Sequence, residues 1–128
     1  PLPSMIPSDD LDRALSELDD GDDQLREGSD RLVERRVRCS ASTTLRVYEP
    51  PGTPQDGRDA YCSQHWPAAT FIAQYLTRTP SIVHNRSVLE LGCGNGLSSV
   101  AAARCGASAV LATDFRPLAL QLVRHAAA

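Results

Sequence analysis

The stretch from Ser87 to Leu97, SVLELGCGNGL, restricts the fold of this chain more than any other, because it joins a buried-strand pattern to a loop rich in glycine. Val88, Leu89 and Leu91 form a short apolar run suited to a strand covered on both faces of a parallel sheet. Gly92, Gly94 and Gly96 then remove Cβ atoms at alternate positions. The backbone there can turn sharply and bring its N–H groups close to a ligand. Leu97 to Cys105 is rich in alanine and reads as a helix whose N-terminus faces that ligand, with Gly106 just past its end.

A second strand follows where the first requires one. Ala109 to Thr113 is apolar and ends in Asp114, 18 residues after Gly96. A carboxylate at such a strand end accepts hydrogen bonds from both hydroxyls of a ribose. Strand, glycine loop, helix, strand and terminal acid therefore point to a nucleoside-type ligand. The dinucleotide fingerprint GxGxxG would need glycine at position 97, where this chain has Leu97; the loop reads GxGxG.

With Glu90 two residues before the first glycine, Glu-Leu-Gly-Cys-Gly-Asn-Gly resembles motif I of the class I, seven-β-strand methyltransferases, which bind S-adenosylmethionine (SAM). The resemblance implies that the loop passes under the amino-acid part of SAM and that Glu90 helps hold the loop and the ligand's ammonium end. It also implies that Asp114 holds the ribose.

Upstream, Leu32 to Cys39 and Thr43 to Glu49 alternate apolar with charged or polar residues around Ser40-Ala41-Ser42, the pattern of a β-hairpin. Alternation puts the arginines on the solvent face, and no interleaved aromatics support base stacking, so no nucleic-acid partner is expected. Residues 50–57 contain three prolines and two glycines and read as an extended loop. Trp66 precedes Pro67, which suits the first turn of a helix, and Ala69, Ile72, Ala73 and Leu76 repeat at helical spacing. This helix is expected to pack beside the glycine-loop strand. Arg116-Pro117 opens a last helix with Leu118 and Leu122 on its buried side.

Hairpin, Pro/Gly loop, Trp-Pro-Ala-Ala, helix and motif I follow an order that resembles one branch of the class, the methyltransferase family 16 protein-lysine methyltransferases. That likeness runs from about Glu34 to Ala128 and implies that Trp66 lies against SAM. It also implies further strands and a short Asp-x-x-Tyr-type motif, at positions beyond Ala128.

Two materials share the chain. Residues 9–30 hold ten acids and two arginines, a net of −8, while the rest carries six acids and eleven arginines, a net of +5. The expected organisation is an acidic, largely flexible tail over residues 1–30, with one short helix between about Asp9 and Leu18, followed by methyltransferase-type sequence over residues 31–128. Pro1 in place of an initiator Met, and a chain that stops directly after a helical pattern, suggest a piece cut at both ends.

No apolar run approaches the roughly 18 residues of a membrane span, and no secretory signal opens the chain. The expectation is a cytoplasmic protein, with the nucleus as the alternative, and no membrane partner. Cys39, Cys62, Cys93 and Cys105 have no CxxC pairing and no histidine at ligand spacing, so they read as reduced thiols without a metal. His65 beside Trp66 reads as a surface or hydrogen-bonding histidine rather than a catalytic base, and no catalytic residue is assigned.

The fold read from these patterns is α/β: the first half of a Rossmann-like parallel sheet, preceded by an N-terminal β-hairpin and helix. The function is SAM-dependent methyl transfer to a protein, with a lysine side chain as acceptor. Trp66, Glu90, Gly92, Gly94, Gly96 and Asp114 are its cofactor-binding residues. Two alternatives stand beside it: a nicotinamide-dependent Rossmann oxidoreductase, against which Leu97 counts, and a truncated, non-catalytic interaction fragment. With half a sheet, Val110, Leu111 and the apolar side of the last helix are expected to face water, so residues 1–128 alone should pack loosely and hold SAM weakly.

Overall fold

Residues 32–51 and 64–128 are described by the structure, a computed structural model. The acidic tail and its Asp9–Leu18 helix, most of the Pro/Gly loop and Cys62 lie outside the described residues.

Strand β1 (Val33–Arg38) pairs antiparallel with β2 (Thr44–Glu49), with Val37 opposite Leu45 and Arg35 opposite Val47. Val37, Cys39, Leu45 and Val47 are buried on the inner face. Arg36, Arg38 and Arg46 face solvent as expected; Arg35, expected there too, alternates instead onto the face of Val37 and Val47 while staying exposed. Register puts Arg35 on the inner side, where its guanidinium meets Glu49 at 2.7 Å, while Arg36 is held by Glu34.

Helix α1 (Pro67–Arg78) starts where the sequence places it. Trp66 is extended, as a residue before proline must be, and Pro67 needs no N–H partner in the first turn. The helix stops at Thr79, whose hydroxyl donates to the Tyr75 carbonyl at 2.6 Å, and Pro80 cannot continue it. α1 packs on the helix after the glycine loop rather than chiefly beside the strand, because Ala73 and Leu76 interlock with Ala101 and Ala102.

Strands β3 (Ser87–Leu91) and β4 (Ala109–Thr113) pair in parallel, Leu89 opposite Leu111, around helix α2 (Leu97–Arg104). Beyond α2, the Gly106 N–H bonds to the Ala103 carbonyl and the Ala107 N–H to the Ala102 carbonyl, the double closure of a glycine-terminated helix. Helix α3 (Pro117–Ala127) follows β4. Among the described residues no helix is long and apolar enough to cross a membrane.

One main core joins the hairpin, α1 and α2 to the helix-facing side of the sheet, where Val88 and Val110 pack. Among the described residues, none covers the other sheet face. Leu89, Leu91 and Leu111 are 60%, 76% and 57% exposed, so a strand expected to be covered on both sides is covered on one. Val110 and α3 depart from expectation in the opposite direction. Val110 is half-buried against the main core beneath α2, and Ala119 and Leu122 of α3 are buried, Ala119 beside Cys93; β2 of the hairpin lies against α3, where Tyr48 meets His125 edge-on at 4.3 Å.

The bare face has a measurable consequence. Residues 1–128 expressed alone should self-associate with rising concentration, and Leu89→Glu with Leu111→Glu should suppress it, since exposed apolar area of this kind drives association. Light scattering across a concentration series is the check; a monodisperse parent protein contradicts it.

Candidate functional site

Both parallel strands deliver their C-terminal ends to one cleft of about 620 Å³. Trp66, Ala69 and Ile72 of the α1 segment form one wall; the glycine loop with Ser98 and Ser99 of α2 forms another; Asp114, Phe115 and Arg116 close the end. This is where open parallel sheets place ligands, outside the carboxyl ends of their strands.

The two turns that follow β3 and β4 are tied together by backbone and carboxylate. The Cys93 N–H, two residues past the end of β3, donates to the Thr113 carbonyl at the end of β4 at 2.9 Å. Asp114 Oδ2 accepts from the Gly94 N–H and Oδ1 from the Arg116 N–H, both at 3.0 Å. Asp114 thus bridges the glycine loop and the start of α3. Each carboxylate oxygen keeps a further acceptor site for a ligand.

Glu90 lines the same cleft, and its carboxylate accepts a hydrogen bond from Ser99 Oγ of α2. Its backbone carbonyl accepts from Thr113 Oγ1 at 2.8 Å. The sequence marks Glu90 as acidic support for the loop; only the structure shows that α2 supplies the partner.

Gly92, Gly94 and Gly96 all have positive φ, at 71°, 52° and 79°. Gly92 and Gly94 line the cleft with Trp66, Glu90 and Asp114, so five of the six anticipated residues meet there. Gly96 does not line it. It lies behind the loop, where a Cβ would collide with Val123 Cγ2 of α3. The loop's N–H groups also differ from expectation. Those of Cys93, Gly94 and Gly96 bond within the protein, the last to the Cys93 carbonyl at 2.8 Å.

Two further features had no signal in spacing. Asn95, between the last two glycines, is 3% exposed and lines the cleft. Leu97 is fully buried in the main core. The residue that breaks the dinucleotide fingerprint is therefore a packing residue at the first turn of α2.

His65 stands outside the cleft lining, and its Nε2 lies 2.5 Å from Thr70 Oγ1. Burial, with Arg35 nearby, lowers its pKa from the ordinary value, which keeps the ring neutral at physiological pH. Cys39, Cys93 and Cys105 form no disulfide. Burial pushes the Cys39 and Cys105 thiols up, away from thiolate reactivity.

Comparison with known proteins converges on one chemistry. Residues 69–128 match the family model described as ribosomal protein L11 methyltransferase (PrmA). The chain is 44% identical over 61 residues to the electron transfer flavoprotein beta subunit lysine methyltransferase of Danio rerio, covering 48% of this chain and 24% of that one. The Homo sapiens protein of the same name is 41% identical over 61 residues, with 48% and 23% covered. A protein N-terminal and lysine N-methyltransferase EFM7 from Cryptococcus neoformans is 44% identical over 50 residues, covering 39% of this chain and 17% of its own. The chain spans about a quarter, 24%, of the length of the first of these relatives.

Proposed function

We propose that residues 69–128, which match the ribosomal protein L11 methyltransferase family model, are the glycine-loop part of a class I, SAM-dependent methyltransferase domain, and that the whole protein transfers a methyl group from SAM to a protein, with a lysine amine as acceptor. The observation that carries this reading is the bridge from Asp114 to the Gly94 N–H, which joins the glycine loop and the acidic strand end into one cleft wall.

The residues fit such a cofactor. A half-exposed Trp66 offers an aromatic face for it to lie against, Asp114 retains acceptor sites for ribose hydroxyls, and Glu90 adds a carboxylate toward the ammonium end. Bound SAM supplies an electrophilic sulfonium methyl. The protein's part is placement: an amine must approach in line with water excluded, and orientation of this kind accounts for much of the rate. Among the carboxylates lining the cleft, Glu90 is engaged by Ser99 and Asp114 by two backbone N–H groups, so both serve to position.

The direct test is calorimetry and a radiolabelled methyl-transfer assay on the full-length protein. SAM should bind and NADH should not; preferential NADH binding overturns the reading in favour of an oxidoreductase. SAM binding without methyl transfer to any protein in an extract depleted of endogenous methylation would favour the interaction-fragment alternative.

Trp66 supplies a sharper check. Trp66 lines the cleft wall and is 45% exposed, so Trp66→Ala should weaken SAM by about 1–2 kcal/mol of lost apolar contact, more than it lowers stability. A large stability loss with normal SAM affinity would make it a packing residue instead.

A further inference from the structure

Trp66 is the N-cap of α1, His65 is the residue before it, and Thr70 is the fourth residue of the helix. A side-chain contact between the two flanking positions fixes the angle at which a chain enters a helix, and it is usually apolar. Here it is polar: His65 Nε2 lies 2.5 Å from Thr70 Oγ1. Trp66, which lines the cleft, stands inside this clamp. Its carbonyl accepts from the Ala69 N–H at 3.0 Å, so backbone bonding fixes Trp66 on the helix side and His65 fixes it on the approach side.

The protonation state of the ring decides whether the clamp holds. His65 Nδ1 is buried and has no hydrogen-bond partner among the described residues. A bare buried lone pair is tolerated better than a buried N–H without an acceptor, so Nδ1 is the unprotonated nitrogen and the Nε2–H donates to Thr70 Oγ1. A second proton would create that orphaned N–H. The charged groups that act on the ring are Arg35 of β1 and Glu49 of β2, themselves paired at 2.7 Å. α1 adds none beside it, since its one charged residue is Arg78 in the last turn, and the positive end of the helix dipole disfavours a cation there.

Given the SAM reading above, on which this rests, we propose that His65 is a positioning residue for Trp66: its neutral ring, bonded to Thr70, holds the indole in the cleft wall against SAM and releases it on protonation. Burial and then Arg35 lower the pKa of His65, with Glu49 opposing, so the clamped state is the one that binds fewer protons. The clamp is therefore fully favoured above the ordinary histidine pKa of about 6.5 and is lost as pH falls below that value.

The test is calorimetry with SAM on the full-length protein at about pH 7.5 and about pH 5, on either side of that pKa. At the higher pH, His65→Ala and Thr70→Val should each weaken SAM by roughly 3- to 10-fold, and neither should weaken it in a Trp66→Ala background. His65→Gln can place an N–H near the Nε2 position and cannot take up a proton. It should match wild type at the higher pH and bind SAM more tightly than wild type at the lower; SAM titrates alike with both proteins, so that difference belongs to His65. Without ligand, the Trp66 indole N–H resonance should move with pH in wild type and stay nearly in place in His65→Gln. Equal weakening with and without Trp66 makes His65 a structural residue and overturns the proposal. So does a pH profile shared by wild type and His65→Gln, or full affinity in both His65→Ala and Thr70→Val. If His65→Ala does not fold, Thr70→Val and His65→Gln decide. Wild-type protein that binds no SAM at either pH overturns the SAM reading, and this role with it.

Discussion

Gly96→Val should abolish SAM binding and lower the melting temperature together, although Gly96 does not line the cleft. Two costs coincide. At φ 79° an L-residue is strained by about 1–2 kcal/mol, more for a β-branched side chain. The new side chain would also enter space occupied by Val123 of α3, and overpacking of this kind costs about 1–3 kcal/mol. Together these lower the melting temperature of the full-length protein by roughly 5–15 °C. Any relief by shifting α3 would displace Arg116 and so disturb the Asp114 bridge.

Gly92 separates the two costs. It has φ 71° but nothing within 4 Å of a built Cβ, so Gly92→Ala should show the backbone cost alone. The Val123→Ala change should partly rescue Gly96→Ala and do nothing for Gly92→Ala, a coupling a double-mutant cycle measures. Additive effects at Gly96 and Val123 would show that the contact is unimportant. Gly94→Val belongs to a third kind: Gly94 is in the cleft wall at φ 52°, so binding should vanish while most secondary structure survives.

Asp114→Ala should carry the second large effect, a loss of about 1.5–3 kcal/mol in SAM binding, or roughly 10- to 150-fold. It would remove the ligand's acceptors and release the Gly94 and Arg116 N–H groups, so the loop and the start of α3 lose their common anchor. Asp114→Asn distinguishes these contributions. Its remaining oxygen can hold one N–H, while its amide offers a donor where a ribose hydroxyl or the second N–H needs an acceptor. A smaller loss for Asn than for Ala identifies loop anchoring; an equal loss identifies ligand contact. Unchanged affinity in both variants removes Asp114 from the site.

Much of the architecture was legible because it rests on local rules. Pro67 and Pro117 start helices for want of an N–H, Gly106 ends one at φ 85°, and the period-two pattern from Val33 to Glu49 produces the hairpin. The site was legible for the same reason: strand, glycine loop and terminal acid are close in sequence, so the parallel pairing of β3 with β4 brings them together. Arg35 shows where local rules stop. Its alternation predicts the inner face and its charge predicts solvent, and Glu49 resolves the conflict across the strand pair.

By itself, then, the sequence determined the order and limits of the elements and the chemistry of the loop, since backbone stereochemistry and short-range hydrogen bonding act within a few residues. Tertiary structure alone decided which groups are used and which remain available. It put Ser99 on Glu90, Val123 behind Gly96, and the hairpin against α3, and it left Leu89, Leu91 and Leu111 uncovered. Those outcomes depend on which surfaces exclude water from one another and which donors find acceptors across distant segments, and neither is encoded in the spacing of residues along one strand or helix.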